Sequence, residues 1–365
     1  MLRQTIQAGG FFCVLLVPVF LGIGIAADTP ILAFAVVMLG LPLLRPVVGP
    51  LPSKPIPWRE SIATALHLLP MVYGALLLGT ITFVLHHLQA HGISSFGYGL
   101  AMALSLWITL LLSTCVSHEL IHRRGRLHMS LGTLLAGMAG YPVLLQEHIA
   151  HHAQPGNTTG AAWPRMDESA WRFALRRSKV VLVAAYGRDS PFWRATSSTR
   201  VTTTLHLGTG ACLAAGTAFW FAAGLSGLVL YASVAVSVWF GVQLITYIQH
   251  WRLGEDRQGE SARQGLGWED DCRLQAWLTL GVSLHHRHHQ RTHQPYYHLT
   301  LADDSPRLPA NYVILLVLCL FPPLWRRSMQ PALSHWEADP SSPRSSGRRI
   351  TCFYLYEKGS SPVNG

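Results

Sequence analysis

Apolar residues run along this chain in long, nearly unbroken stretches instead of recurring every second or every third to fourth position. Six stretches stand out, from Gly10 to Ala27, Ile31 to Gly49, Ile62 to His86, Gly97 to Ser117, Leu205 to Ala223 and Leu228 to Gln249. A helix needs about 20 apolar residues to cross a hydrocarbon layer about 30 Å thick. The pattern therefore predicts an all-α integral membrane fold with six transmembrane helices. Two shorter apolar pieces, Met129 to Leu145 and Tyr312 to Trp325, are interrupted by Gly or Pro and read as interfacial or buried helices. A secretory signal peptide competes for the first stretch, because Arg3, an apolar run and Ala26-Ala27 loosely fit one. That run is long for such a role, and the second stretch follows almost at once, as in a two-helix hairpin.

Composition sharpens the membrane reading. Half of the 365 residues are hydrophobic and 13% are charged, against about 25% charged in an average soluble domain. The 28 Lys and Arg residues avoid one side completely. With the N-terminus inside, the outer loops Asp28 to Pro30, His87 to Phe96 and Gly224 to Gly227 hold none of them. Positive residues stay on the cytoplasmic side of short loops, so both termini are expected there, in a bacterial inner membrane. Nothing in this pattern suggests a nucleic-acid partner. Residues 1–339 read as one membrane domain, and residues 340–365, rich in Ser, Pro and Arg, as a disordered tail.

The candidate chemistry is histidine. Six cysteines lie far apart with no CxxC pair, which suggests neither a disulfide framework nor a cysteine-based metal or iron-sulfur site, and they read as packing residues. Histidines instead gather at the inner ends of the predicted spans. "HELIHRRG" places His118 and His122 at the end of the fourth, and "TYIQHWRLG" places His250 at the end of the sixth. "EHIAHH" adds His148, His151 and His152, and "LHHRHH" adds His285, His288 and His289. Spacings of three and four share a helix face, so all nine can reach one site at the cytoplasmic interface. A tetrahedral zinc site takes only three or four ligands. Nine imidazoles suit two ions with open positions, and iron pairs imidazole ligation with oxygen chemistry. Copper, or one zinc with bystander histidines, are the alternatives. "HELIH" alone also matches the H-E-x-x-H zinc protease motif, which would leave the other histidine clusters unexplained. His286, turned about 100 degrees from His285, and His293, beyond the end of the run, read as bystanders, and the twelve tryptophans read as membrane-interface residues. Glu119 and Glu147 adjoin ligands and are expected to hold imidazole N–H groups. Small residues in "GTLLAGMAG" and "LGTGACLAAG" permit close helix packing or leave a channel.

Between about Ile62 and Trp336 the chain resembles the integral-membrane alkane hydroxylases, with the hydroxylase component of xylene monooxygenase as kin, within the fatty acid desaturase-like superfamily. "HELIHRR" is similar to the first histidine box, "EHIAHH" followed by "RMDESAWRFALRRS" to the second, and "LHHRHH" to the third. "TYIQHWRLG" resembles the family's tyrosine-histidine segment and "FPPLWRRSMQPAL" its C-terminal signature. The resemblance implies a non-haem diiron centre held by the nine histidines named above. It also implies hydroxylation of a terminal or methyl carbon of an apolar substrate taken from the bilayer. Electrons would come from rubredoxin, or a ferredoxin-type protein, and its reductase. Three departures stand out. The second box has H-x2-H-H spacing, as in desaturases, which turns His148 about 100 degrees on a helix. Thr246, Gln249, Trp251 and Arg252 flank His250 in place of the usual residues, and "GWEDDCR" before the third box keeps a tryptophan and acidic residues but lacks the usual serines. A desaturase is the nearest competing reading.

Overall fold

A computed structural model describes residues 2–338, except 53, 124, 161, 195–198 and 255–264; the expected tail from 340 onward lies outside the described residues. All six apolar stretches lie in helices. The first is α1 (Leu2–Phe11), continued through a 3-10 turn into α2 (Leu16–Ala26), and the second is α3 (Leu32–Val48). The third and fourth are α4 (Glu60–His91) and α5 (Phe96–Ile121), and the last two lie within α9 (Thr199–His250). Among the described residues four helices are long and apolar enough to cross a bilayer, namely Gln4–Ala26, Glu60–His91, Phe96–Ile121 and Arg200–His250, while Leu32–Val48 is apolar but shorter.

The last of these is in fact a hairpin. Gly224 takes φ 60° and ψ −143°, a region open to glycine, and Ala223 beside it is also non-helical. Beyond this point the chain turns back on itself, so that the Phe219 and Tyr231 rings stack at 5.4 Å and the Tyr231 hydroxyl lies 3.5 Å from Cys212 Sγ.

The helix directions follow from a few contacts. α4 runs against α5, since Tyr73 Oη lies 3.5 Å from the Thr109 carbonyl and His87 Nε2 lies 3.1 Å from Tyr98 Oη. The returning half of α9 runs with α5, Trp107 Nε1 donating to the Ser237 carbonyl at 3.0 Å. The loop before Phe96 and the bend at Gly224 therefore share one pole, and His118 and His250 share the other. α5 is the central helix. Its Ser113, Thr114 and Ser117 hydroxyls donate back to the carbonyls of Leu110, Leu111 and Ser113 at 2.7, 2.6 and 2.9 Å, which satisfies them in an apolar setting.

Shorter helices cover the histidine pole. They are α6 (Arg126–Met138), α7 (Leu144–Ala153), α8 (Ala170–Tyr186), α10 (Arg273–Leu278), α11 (His285–Gln290), α12 (Tyr312–Leu318) and α13 (Pro322–Ala338). The small-residue stretches serve close packing, because a Cβ on Gly137 would lie 2.9 Å from the Ala211 Cβ across the α6 and α9 contact. For five of the twelve tryptophans the structure shows a packing role. Trp163, Trp251, Trp268, Trp325 and Trp336 are buried together in one core cluster beside the end of α9, whereas Trp171, Trp193 and Trp220 are exposed. Indole is as good a core filler as an interface anchor, and Trp268 satisfies its ring N–H on the Trp251 carbonyl at 2.9 Å.

Candidate metal centre

Four elements converge at the histidine pole. The end of α5 brings His118 and His122, α7 brings His148, His151 and His152, the end of α9 brings His250, and α11 brings His285, His288 and His289. All nine sequence-selected histidines meet, and they divide into two groups, His118, His122, His148, His152 and His288 in one, and His151, His250, His285 and His289 in the other. Within each group the potential ligand atoms lie within 4.8 Å of one another. The groups adjoin, with the His152 and His289 rings 4.3 Å apart.

The division follows helix geometry. In α7 the i,i+4 pair His148 and His152 faces the first group, and His151, turned about 100 degrees, faces the second. α11 does the reverse, giving the pair His285 and His289 to the second group and His288 to the first. The H-x2-H-H spacing therefore does not remove His148 from the site. Its Nε2 lies 2.6 Å from that of His122.

The second group forms a closed ring of Nε2 atoms. His151 to His250 is 3.1 Å, His250 to His285 3.0 Å, His285 to His289 3.0 Å and His289 to His151 3.2 Å. Each Nε2 carries either one proton or one lone pair. Alternating donors and acceptors supply hydrogen for at most half of these contacts, whereas a central cation would take all the lone pairs. Four nitrogens at these separations could hold one ion between them.

Burial favours the neutral, ligating form of these rings. It holds His148, His152, His285, His288 and His289 well below the usual imidazole range, with their neighbouring histidines adding to the effect, and lowers His151 to about 4. The Trp163 ring stacks on His250 at 4.2 Å and fixes its plane.

The two carboxylates expected on imidazoles go elsewhere. Glu119 pairs with Arg123 at 3.3 Å, and Glu147 pairs with Arg177 and accepts the Tyr141 hydroxyl. In each case an arginine is within reach, and a buried carboxylate gains more from a guanidinium than from a neutral ring N–H. His286 points away from both groups, its Nδ1 accepting the Leu266 N–H at 3.0 Å and its Nε2 lying 2.9 Å from Gln290 Nε2. His293 lies outside both groups as well. A cavity of about 90 Å³ between α7 and α8, lined by Gln146, Glu147, His151, Arg177 and Val181 among others, reaches the second group at His151. Sequence reasoning missed two residues, Trp163 and the fully buried Glu269. Trp163 carried no signal beyond being a tryptophan near the second box; Glu269 stood in a segment marked only as a departure.

The fatty acid desaturase family profile matches residues 94–317, which hold all four converging elements. The chain belongs to the fatty acid desaturase family. Within it, the chain is 28% identical over 248 residues to alkane 1-monooxygenase 1 of Pseudomonas aeruginosa, a match covering 61% of this chain and 60% of that relative. It is 25% identical over 351 residues to alkane 1-monooxygenase 2 of the same organism, covering 88% of each. The xylene/toluene monooxygenase hydroxylase component of Pseudomonas putida is 24% identical over 247 residues, covering 65% of each. The apolar helices and this membership make the chain an integral membrane protein with a histidine-built candidate metal centre.

Proposed function

We propose that this family member is a non-haem diiron monooxygenase. It would hydroxylate a terminal or methyl carbon of an alkane or alkyl-substituted hydrocarbon with dioxygen, as an alkane 1-monooxygenase does. The observation that carries the reading is the double imidazole cluster, five histidines beside four, in a chain similar to alkane monooxygenases. An unactivated C–H bond offers no acid-base handle, so two bound irons would supply the oxygen activation that no side chain provides. The chain holds the ligands neutral, fixes the His250 ring against Trp163 and keeps bulk water from the buried imidazoles. The balance per turnover is one hydrocarbon, one dioxygen, two electrons and two protons to one alcohol and one water.

The electrons come from outside on this reading, from rubredoxin or a ferredoxin-type protein with its reductase. Exposed Arg165, Arg172, Lys179, Arg188, Arg291, Arg326 and Arg327 on the elements around the clusters suit an acidic donor, and equally suit anionic membrane lipids. On this reading the histidine pole faces the cytoplasm of a bacterial inner membrane, and the apolar substrate enters from the bilayer. A desaturase outcome is the second reading, favoured by the H-x2-H-H spacing and the family description. Metal analysis of the purified full-length protein tests the diiron reading. Two irons per chain are expected, and about one zinc without iron would overturn it.

A further inference from the structure

α11 carries three of the nine histidines yet is only six residues long, and its N-cap Leu284 offers no side-chain hydrogen bond. So short a helix has no stability of its own, and the positions of His285, His288 and His289 must be imposed from outside. The segment from Gly267 to Asp270, part of the "GWEDDCR" departure, is placed to impose them. At one side it is tied to the end of α9, the Trp268 N–H donating to the Gln249 carbonyl at 2.8 Å and its ring N–H to the Trp251 carbonyl at 2.9 Å, either side of His250. At the other side it meets α11. The Asp270 N–H donates to the Ser283 carbonyl at 3.1 Å, and Glu269 Oε1 accepts the Arg287 N–H at 2.7 Å. Gly267 is needed for this approach, since a Cβ there would lie 2.8 Å from His285 Cδ2.

Glu269 has no exposed surface, and its other oxygen is also occupied. Oε2 accepts from Ala302 N at 2.9 Å, Ser305 Oγ at 2.7 Å and Arg307 Nη1 at 3.1 Å. We propose that Glu269 is a positioning residue for the second histidine group, fixing α11 relative to the end of α9 and so setting the His250, His285 and His289 spacing. This rests on the reading that the histidines hold metal. Only a carboxylate can accept on both sides. In Glu269→Gln the amide oxygen serves the three donors at Oε2, which leaves its NH2 facing the Arg287 N–H and breaks the tie to α11. Asp270 is the natural control. It is equally buried in the same segment, but its carboxylate goes to the Cys272 N–H at 3.1 Å and to Arg45 at 3.2 Å, not to α11.

The test titrates metal-free, full-length protein in detergent with cobalt(II) alone and reads the visible ligand-field bands. Wild type is expected to bind two ions. Glu269→Gln is expected to weaken one of them about 10- to 100-fold while the other keeps its wild-type bands. Glu269→Asp, which keeps the charge on a shorter arm, falls between, and Asp270→Asn keeps both ions. Unchanged binding of both ions in Glu269→Gln overturns the proposal, as does an equal loss in Asp270→Asn, which would mark a general effect of loosening the segment. A wild type that binds fewer than two ions overturns the diiron reading itself, and the proposal with it.

Discussion

At the residue scale, neighbouring histidines in one short run do different work. His288 faces His152 with Nε2 atoms 3.1 Å apart, whereas His286, two positions earlier, turns its nitrogens to Leu266 and Gln290. His288→Ala is therefore expected to lower iron content by about one ion per chain. His286→Asn, which can still accept the Leu266 N–H, keeps both; elemental analysis of the two variants checks this. Histidine identity and spacing were legible in the sequence, but their partition was not. Residues three and four apart share a broad face, and only the packed site shows that His148 and His152 part company with His151. The pH dependence has a definite sign. Burial lowers the folded-state value of His151 to about 4, below that of an imidazole in the unfolded chain, about 6.5, so the unfolded chain binds more protons between those values. Stability of the metal-free protein is then present above about pH 6.5 and falls as pH drops towards 4. Thermal melting in detergent across that range measures it, and a flat profile would contradict it.

At the element scale, α7 delivers three histidines and is bolted from outside by the Glu147 and Arg177 pair, whose side chains are 9% and 3% exposed. Gln243 on α9 joins through the Tyr141 hydroxyl at 2.9 Å. Removing one partner strands a buried charge, so Arg177→Leu is expected to cost about 3–5 kcal/mol, and adding Glu147→Leu to recover part of it. Denaturation of the single and double variants decides whether the pair is coupled. No sequence pattern announced this bolt, because Glu147 beside His148 suggested a role on the metal ligands, and Arg177 sits 30 positions away. The helices themselves were readable. Continuous apolar runs marked all six stretches, and the Gly224 to Gly227 break anticipated the turn that makes α9 a hairpin.

At the scale of the whole molecule, helices entering from different parts of the chain deliver imidazoles to a single pole. Membrane composition, helix direction and histidine placement agree with one another there, although each comes from a different feature of the sequence. The tryptophan cluster beside α9 shows where such reasoning stops, since composition alone cannot separate an interface indole from a core one. The central claim concerns what the assembled site does to a hydrocarbon, and the fate of dioxygen tests it most directly. Iron-loaded protein, a reducing partner and a mid-chain alkane under 18O-labelled dioxygen should give an alcohol carrying one labelled oxygen, read by mass spectrometry. An alkene as the only product, or an alcohol whose oxygen comes from water, would contradict the account.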